Sequence, residues 1–423
     1  MSNREIDILV LNAGSSSFKS SFYRLSDELP SEPIAPIWTG KVNWDTNGKA
    51  VLKAQTSQES VSVERSDTTR MADICELLNW LWSGKTQVVS DISAIDLCGH
   101  RVVHGGSKYR QPTLIDEEVK AEIDRLAVYA PLHNPANLMG ITAIEQSSNA
   151  SASAAHQLTQ IAVFDTAFYA NLPEVAYVYP VPYQWLERGI RKYGFHGISH
   201  QYCTQRAAKL LDRDVTKLRS ISCHLGNGCS LAAMRSGRCI DTTMGFTPLD
   251  GLMMGTRCGS IDPGILLHLL REGEYTVAEL DRILNFESGL LGVSGVSNDV
   301  REIEKSIAEG NVRSRLALDM YIDRIAAKIA SLVPALGGLD ALIFTGGVGE
   351  NNCGIRAAVV AKLAFLGVEI DPALDRVATS AGMSSSDDRD LATSASAVRV
   401  LTIHTQEEWE IARTCWEYFH ASH

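Results

Sequence analysis

Twice in this chain an apolar strand runs into a turn of small polar residues and returns along a second strand. That repetition constrains the fold more than any other feature. The first copy opens with Ile6 to Leu11, an apolar run broken only by Asp7, as a buried strand is. Asn12-Ala13-Gly14-Ser15-Ser16-Ser17 turns the chain, and Phe18 to Leu25 returns with Lys19 just past the tip. The second copy runs from Leu218 through Gly226-Asn227-Gly228 to Met234. One hairpin per half, each with a phosphate-sized tip, predicts a duplicated α/β fold with a nucleotide between its lobes. Read alone, the first tip is equally an ordinary polar turn, and with no glycine before Lys19 it is not a Walker loop.

Glycine concentrates further along the second copy. His224 to Pro263 holds seven glycines, about double the usual frequency. Glycine lets backbone N–H groups approach an anion closely. Arg257, framed by Gly255 and Gly259, offers a planar, always-charged fork for phosphate or carboxylate. The competing reading is a set of tight turns in a sheet. A third glycine turn, Thr345 to Asn352, follows the strand Ala341 to Phe344 and leads into a helix that Gly367 stops, an anion or nucleotide cradle. Its missing final glycine excludes a dinucleotide fingerprint. Asp165 stands at the carboxyl end of the strand Ile161 to Phe164, where α/β proteins bind ligands, although a loop or N-cap acid fits the same position.

Composition removes whole classes. A net charge of -11 argues against a general nucleic-acid partner. No apolar run reaches the roughly 20 residues that span a bilayer, and MSNREIDILVLNAG has no signal-peptide pattern. Nine cysteines without a C-x-x-C pair predict buried free thiols and a cytoplasmic location. The sequon at Asn149 is then a chance match. Histidine pairs at 100/104 and 196/200 lack the acidic partner of a metal site, Gly197 standing where a zinc protease carries glutamate.

Other stretches read structurally. Residues 30–70 are expected as peripheral hairpins and loops, with a strand-like piece from Ile37 to Trp44. The stretches 146–155 and 379–397 are expected mainly as loops. Helices are expected over Met71–Trp82, Asp116–Leu126 and Ser314–Val333, and after Asp262-Pro263 and Asp299. Asn134 is expected to cap a helix with Pro135 at its first position, and Ser199 to cap one running to Leu211. Thr405 and Glu408 match a capping box, which leaves Glu407 unexplained.

Taken together, LVLNAGSSSFK, HRVVHGG, FDTAF, YGFHGISH, HLGNGCS, DTTMGFTPLDGLMMGTRCGSIDP, FTGGVGEN and TQEEWEIA resemble the acetate kinase family of short-chain carboxylate kinases, in the family's order and over nearly the whole chain. The resemblance implies two ribonuclease-H-like (actin-like ATPase) α/β domains, 1–168 plus 404–423 and 169–403, with the active site in the cleft between them. It implies a cytoplasmic homodimer that interconverts ATP plus acetate with ADP plus acetyl phosphate, using Mg²⁺ or Mn²⁺. Position by position, it implies metal-associated roles for Asn12 and Glu407, and places Lys19 and the nearby serines at the first phosphate turn. Arg101 and Arg257 flank the carboxylate and the phosphoryl group in transfer, Asp165 is the catalytic aspartate, and His196 stabilises the transition state. Nucleotide contacts fall to His224, Leu225, Gly226, Asn227 and Gly228, to Asp299, Val300 and Arg301, and to Gly347, Val348, Gly349, Glu350 and Asn351. Val103, Leu132 and Pro248 line a small apolar acyl pocket.

Two alternatives follow from the same residues. A sister kinase for propionate or butyrate differs by as little as one methylene, worth about 1–3 kcal/mol in an apolar pocket. Val103 leans towards acetate, since a smaller side chain would enlarge the pocket. A nucleotide-switched binding protein without transfer chemistry would need no carboxylate clamp, and Arg101, Asp165, His196 and Arg257 together argue against it.

Overall fold

The computed structural model describes residues 5–14, 16–45, 48–150, 158–380 and 387–422. The chain divides into two compact units, residues 1–168 with 406–423, and residues 169–405.

The first unit is built on an eight-stranded sheet. In chain order its strands are β1 (Ile6–Ala13), β2 (Ser17–Leu25), β3 (Trp38–Trp44), β4 (Ala50–Thr56), β5 (Ser60–Arg65), β6 (Leu97–Val102), β7 (Thr113–Leu114) and β8 (Thr159–Phe164). They lie in the order β5-β4-β3-β2-β1-β6-β8-β7. The first five form an antiparallel meander, β6 and β8 run parallel to β1, and β7 closes the far edge antiparallel to β8.

The second unit repeats the plan with β9 (Ser220–Leu225), β10 (Cys229–Arg235), β11 (Arg238–Thr242), β12 (Ala341–Thr345), β13 (Arg389–Asp390) and β14 (Arg399–Thr402). Their order is β11-β10-β9-β12-β14-β13, again a meander, two parallel strands and an antiparallel edge. Removing β4 and β5 makes the two orders superimposable strand for strand, including the detail that each edge strand precedes its neighbour in sequence. The duplication anticipated from two hairpins therefore extends to every strand of the smaller sheet.

Alternation across β1 explains the first unit's layers. Leu9 and Leu11 join Phe18, Phe22, Trp38, Leu77, Leu78 and Ile144 in one core, which the helices Arg70–Trp82 and Asn134–Ala150 cover. Residues 38–56 were expected to be peripheral; instead Trp38, Val42 and Leu52 are fully buried in that core. The helix from Asn134 also runs through 146–150, where a loop was expected, and residues 151–157 lie outside the described residues. The carboxyl-terminal helix, Glu407–Ser422, packs on the opposite face across β1 and β6. Its approach depends on Gly99, where a Cβ would stand 2.6 Å from Cys415 Sγ and 2.8 Å from Ile411 Cγ2.

In the second unit the helix Val312–Leu336 buries Leu318, Ile322, Ile325, Ile329 and Leu332, the stripe its periodicity predicts, and ends on Gly337 in the left-handed region. The helices after Asp262 and Asp299 start as expected, each aspartate accepting a backbone N–H. No helix among the described residues is long and apolar enough to cross a membrane, and all nine cysteines are free thiols.

Because Gly99 sets the height of the helix that begins at Glu407, Gly99→Ala overpacks that interface. The expected loss is about 1–3 kcal/mol, read as a lower denaturant midpoint with an unchanged slope.

Candidate active site

In both units the parallel strands deliver their carboxyl ends to one edge of the sheet, the edge where α/β proteins bind ligands. In the first unit this brings together residues far apart in sequence. Leu11 pairs with His100 and Arg101 with Val163, so Asn12, Arg101 and Asp165 emerge side by side. Arg101 Nε and Nη2 both donate to Asp165 Oδ2, at 3.1 and 2.7 Å, and Nη1 donates to Asn12 Oδ1 at 3.1 Å. That fixes the Asn12 amide, whose Nδ2 donates to Glu407 Oε2 at 3.3 Å and Glu408 Oε1 at 3.0 Å. Lys19, paired with Asn12 across the hairpin, places Nζ 3.6 Å from Glu408 Oε1.

Glu408 is thus a member of the cluster. The capping box expected of it is absent: its carboxylate goes to Asn12 and Lys19, and the Thr405 hydroxyl goes to Ser199. Two cations, Lys19 and Arg101, face three carboxylates, Asp165, Glu407 and Glu408, which leaves one negative charge in excess. Glu408 raises the Lys19 pKa over the opposing effect of burial. For Arg101, burial works against the charge, but Asp165 and then Glu407 more than compensate and raise its pKa. Among the described residues no group of three or more His, Cys, Asp or Glu is placed to hold a metal. Glu407 offers hard carboxylate oxygens and Asn12 an amide oxygen that here accepts from Arg101; hard oxygens suit a cation that keeps most of its water, as Mg²⁺ does. Ser15 lies outside the described residues.

Val103 follows β6 directly and is buried, its N–H donating to Asn137 Oδ1 at 3.1 Å while Asn137 Nδ2 holds Ala13 O at 2.9 Å. Leu132 is half-buried. Asn134 does not cap its helix; its amide clamps the His104 backbone, N–H to Oδ1 at 3.1 Å and Nδ2 to O at 3.2 Å. His100 and His104 are buried and held near pKa 4 by desolvation, His100 against Gln160 and His104 against the Gly106 N–H.

The second unit carries a row of histidines. His196 sits at φ 56°, a left-handed position that strains a non-glycine residue by about 1–3 kcal/mol and is typical of functional turns. Its Nδ1 lies 2.9 Å from Ser230 Oγ, and the same hydroxyl lies 2.8 Å from His200 Nε2. Burial, then the neighbouring His224, pushes His200 well below its usual pKa, so it stays neutral and orients Ser230. The His196 ring stacks on His224 at 4.3 Å. Ser199 lies inside the helix Gly197–Leu210 instead of capping it, and its hydroxyl bridges His224 Nδ1 at 2.8 Å and Thr405 Oγ1 at 2.9 Å.

A Cβ at Gly228 would stand 3.4 Å from His196 Nε2 and 3.5 Å from Arg257 Nη1, so the bare turn lies under both groups. Arg257 Nη1 donates to Pro248 O at 3.2 Å and touches Met254 Sδ at 4.0 Å. Burial lowers the Arg257 pKa, and Cys229 only partly offsets that. Among the described residues no carboxylate pairs with this cation, in contrast to Arg101.

Beside the turn lies a cavity of about 540 Å³. Gly226, Asn227, Asp299, Val300, Arg301, Gly347, Val348 and Asn351 line it, which gathers three separate glycine or helix-start segments into one place. At Gly255 a Cβ would stand 2.4 Å from Asn227 Oδ1 and 3.2 Å from Asn298 O, so a side chain there would displace Asn227 at the cavity rim. His224, Leu225, Gly228, Gly349 and Glu350 are not among the lining residues, whereas Tyr321, Leu290 and Asn298 are. Sequence reading missed Tyr321 because it looks like one more core position of a long helix. It also missed Arg356, buried in the helix Cys353–Lys362, which donates to Gly349 O at 2.7 Å and Glu350 O at 2.9 Å and is neutralised by Asp375.

The sequence pattern of the Acetokinase family matches residues 7–413. The acetate kinase of Gloeobacter violaceus is 55% identical over 413 residues, covering 97% of this chain and 99% of that protein. Among solved structures, an acetate kinase from Porphyromonas gingivalis is 38% identical with a TM-score of 0.83, covering 96% of this chain and 98% of its own. A propionate kinase from Francisella tularensis is 36% identical with the same TM-score of 0.83, covering 97% and 98%. A match over this length, with relatives this similar from end to end, leaves one conclusion: the chain belongs to the acetokinase family.

Proposed function

We propose that the protein is an acetate kinase, transferring the terminal phosphoryl group of ATP reversibly to the carboxylate of acetate. Family membership supports it, and one observation carries it: Arg257 is a half-buried guanidinium with no acidic partner among the described residues, beside a bare glycine turn, His196 and a nucleotide-sized cavity. Such a cation awaits an anion. An acetate oxygen attacks the γ-phosphorus, the bond to the ADP oxygen breaks, and the pair of electrons leaves on ADP. Acetate has an acidity near that of a Glu side chain, about 4.3, so it is ionised at neutral pH and no base is required. This removes proton abstraction from the tasks of Asp165, whose carboxylate orients Arg101 instead. Arg257 and His196 stabilise charge on the phosphoryl oxygens, while the residues lining the cavity hold the nucleotide.

The excess negative charge of the Asn12–Glu407–Glu408 cluster fits a divalent cation held by Asn12 and Glu407. When bound, Mg²⁺ would neutralise phosphate charge. Exposed Ile265, Leu267 and Leu270 on the helix Pro263–Glu272 fit association with a second copy, consistent with a homodimer. Acetate is favoured over propionate because the position that the family resemblance assigns to the acyl pocket carries a buried valine, Val103, and because the highly similar Gloeobacter violaceus relative bears the acetate kinase name. Equal structural likeness to an acetate and a propionate kinase means that the backbone does not make this choice.

The decisive assay is ATP- and Mg²⁺-dependent acyl phosphate formation, trapped with hydroxylamine, across acetate, propionate and butyrate. Acetate is expected to give the highest kcat/KM, and no acyl phosphate from any of the three would refute the kinase reading. Arg257→Ala is expected to lower kcat by about 10²–10³-fold, the usual loss for one charge-stabilising donor, with the KM for ATP little changed. Val103→Ala is expected to move the propionate-to-acetate ratio of kcat/KM upward by about tenfold, the discrimination that one extra methylene on the substrate is worth. An unchanged ratio would remove Val103 from the acyl pocket.

A further inference from the structure

The GGVGEN turn gave every reason to place Glu350 on the nucleotide, yet its carboxylate is buried and points elsewhere. Gly347, Val348, Asn351 and Asn352 line the cavity on either side of it, and Glu350 does not. Its Oε1 accepts from Gly346 N at 2.8 Å, Thr405 N at 3.1 Å and Thr345 Oγ1 at 3.2 Å, and its Oε2 lies 2.7 Å from His404 Nδ1. Burial opposes ionisation, but these bonds outweigh it and lower the Glu350 pKa.

The two residues Glu350 grips are held from other directions as well. The His404 N–H donates to Asp388 Oδ1 at 3.1 Å, and Arg206 Nε fixes the other oxygen of Asp388 at 2.7 Å. Thr405 Oγ1 meets Ser199 Oγ at 2.9 Å, and that hydroxyl meets His224, on which His196 stacks. His404 and Thr405 are therefore seated by the turn after β12, by the helix Gly197–Leu210 and by the segment before β13. Only Gln406 separates this seat from Glu407 in sequence, a span of about 7 Å of extended chain.

We propose that Glu350 is a positioning residue that seats His404–Thr405 and so couples occupancy of the nucleotide cavity to the ordering of the segment that leads into the helix Glu407–Ser422. The helix Gly346–Asn351 presents Gly347, Val348 and Asn351 to the cavity and Glu350 to the seat, so a nucleotide that orders this helix orders the crossover. The polar path through Ser199 adds His196 and His224 to the same unit. The inference rests on the kinase reading for the identity of the nucleotide, but its test can be read without acetate.

The experiment is backbone hydrogen–deuterium exchange of the full chain with and without ATP, together with ATP affinity by calorimetry and steady-state kinetics. ATP is expected to slow exchange in peptides covering 401–412 in the wild type. Glu350→Gln is expected to keep ATP affinity within about twofold, abolish that protection, and lower kcat about tenfold with the KM for ATP within about twofold. Thr405→Val, which removes only the Ser199 contact, is expected to weaken the protection at retained ATP affinity, and it carries the test should Glu350→Gln not fold. Wild-type protection in both variants overturns the proposal. So does an ATP affinity about tenfold weaker in Glu350→Gln, which would return Glu350 to direct nucleotide contact. A wild type that shows the protection but forms no acyl phosphate overturns the kinase reading and leaves the seat standing.

Discussion

A mostly buried guanidinium needs a counter-charge, and the pairing of Arg101 with Asp165 is the constraint on which the first unit's active edge depends. Removing one partner of such a pair leaves a desolvated charge and typically costs about 3–5 kcal/mol. The pair does more than neutralise itself. With Asp165 occupying Nε and Nη2, Arg101 turns Nη1 to Asn12, which settles the amide and aims its NH₂ group at Glu407 and Glu408. Four chain segments are locked by one guanidinium, and parallel strand register puts three of them in reach.

The second unit solves the opposite problem. Among the described residues Arg257 meets a carbonyl and a thioether and no carboxylate. The two arginines share a residue type and differ in their partners: Arg101 is paired with a carboxylate, and Arg257 bonds to a backbone carbonyl. The histidines follow the same division. His200 is buried, neutral and committed to two serines, whereas His196 is strained, oriented through Ser230 and set against the bare Gly228 turn.

Legibility in the sequence tracked locality. Hairpin tips, the Asp262 and Asp299 helix starts and the stripe of the helix Val312–Leu336 depend on neighbours within a few residues, and all were readable from pattern alone. Readings failed where a side chain had a local partner available and a distant one won. Ser199 and Asn134 looked like caps, and Glu408 like half of a capping box; each instead bonds to a residue remote in sequence. The stretch 38–56 looked peripheral because its apolar residues alternate with lysines and threonines, which is how a strand with one buried face reads.

The sequence by itself determined which family this chain belongs to, that its halves repeat, and which side chains carry charge suited to phosphate and carboxylate. Those properties reside in residue types at fixed spacing. Only the tertiary structure decided how those side chains are spent, because that depends on which strand ends lie together and which partner each group reaches first. Arg101 became a keystone bound to Asp165 and Asn12, and Arg257 was set beside the bare Gly228 turn. Glu350, from the middle of a nucleotide motif, turned inward to hold the chain at the point where it crosses back to the first unit.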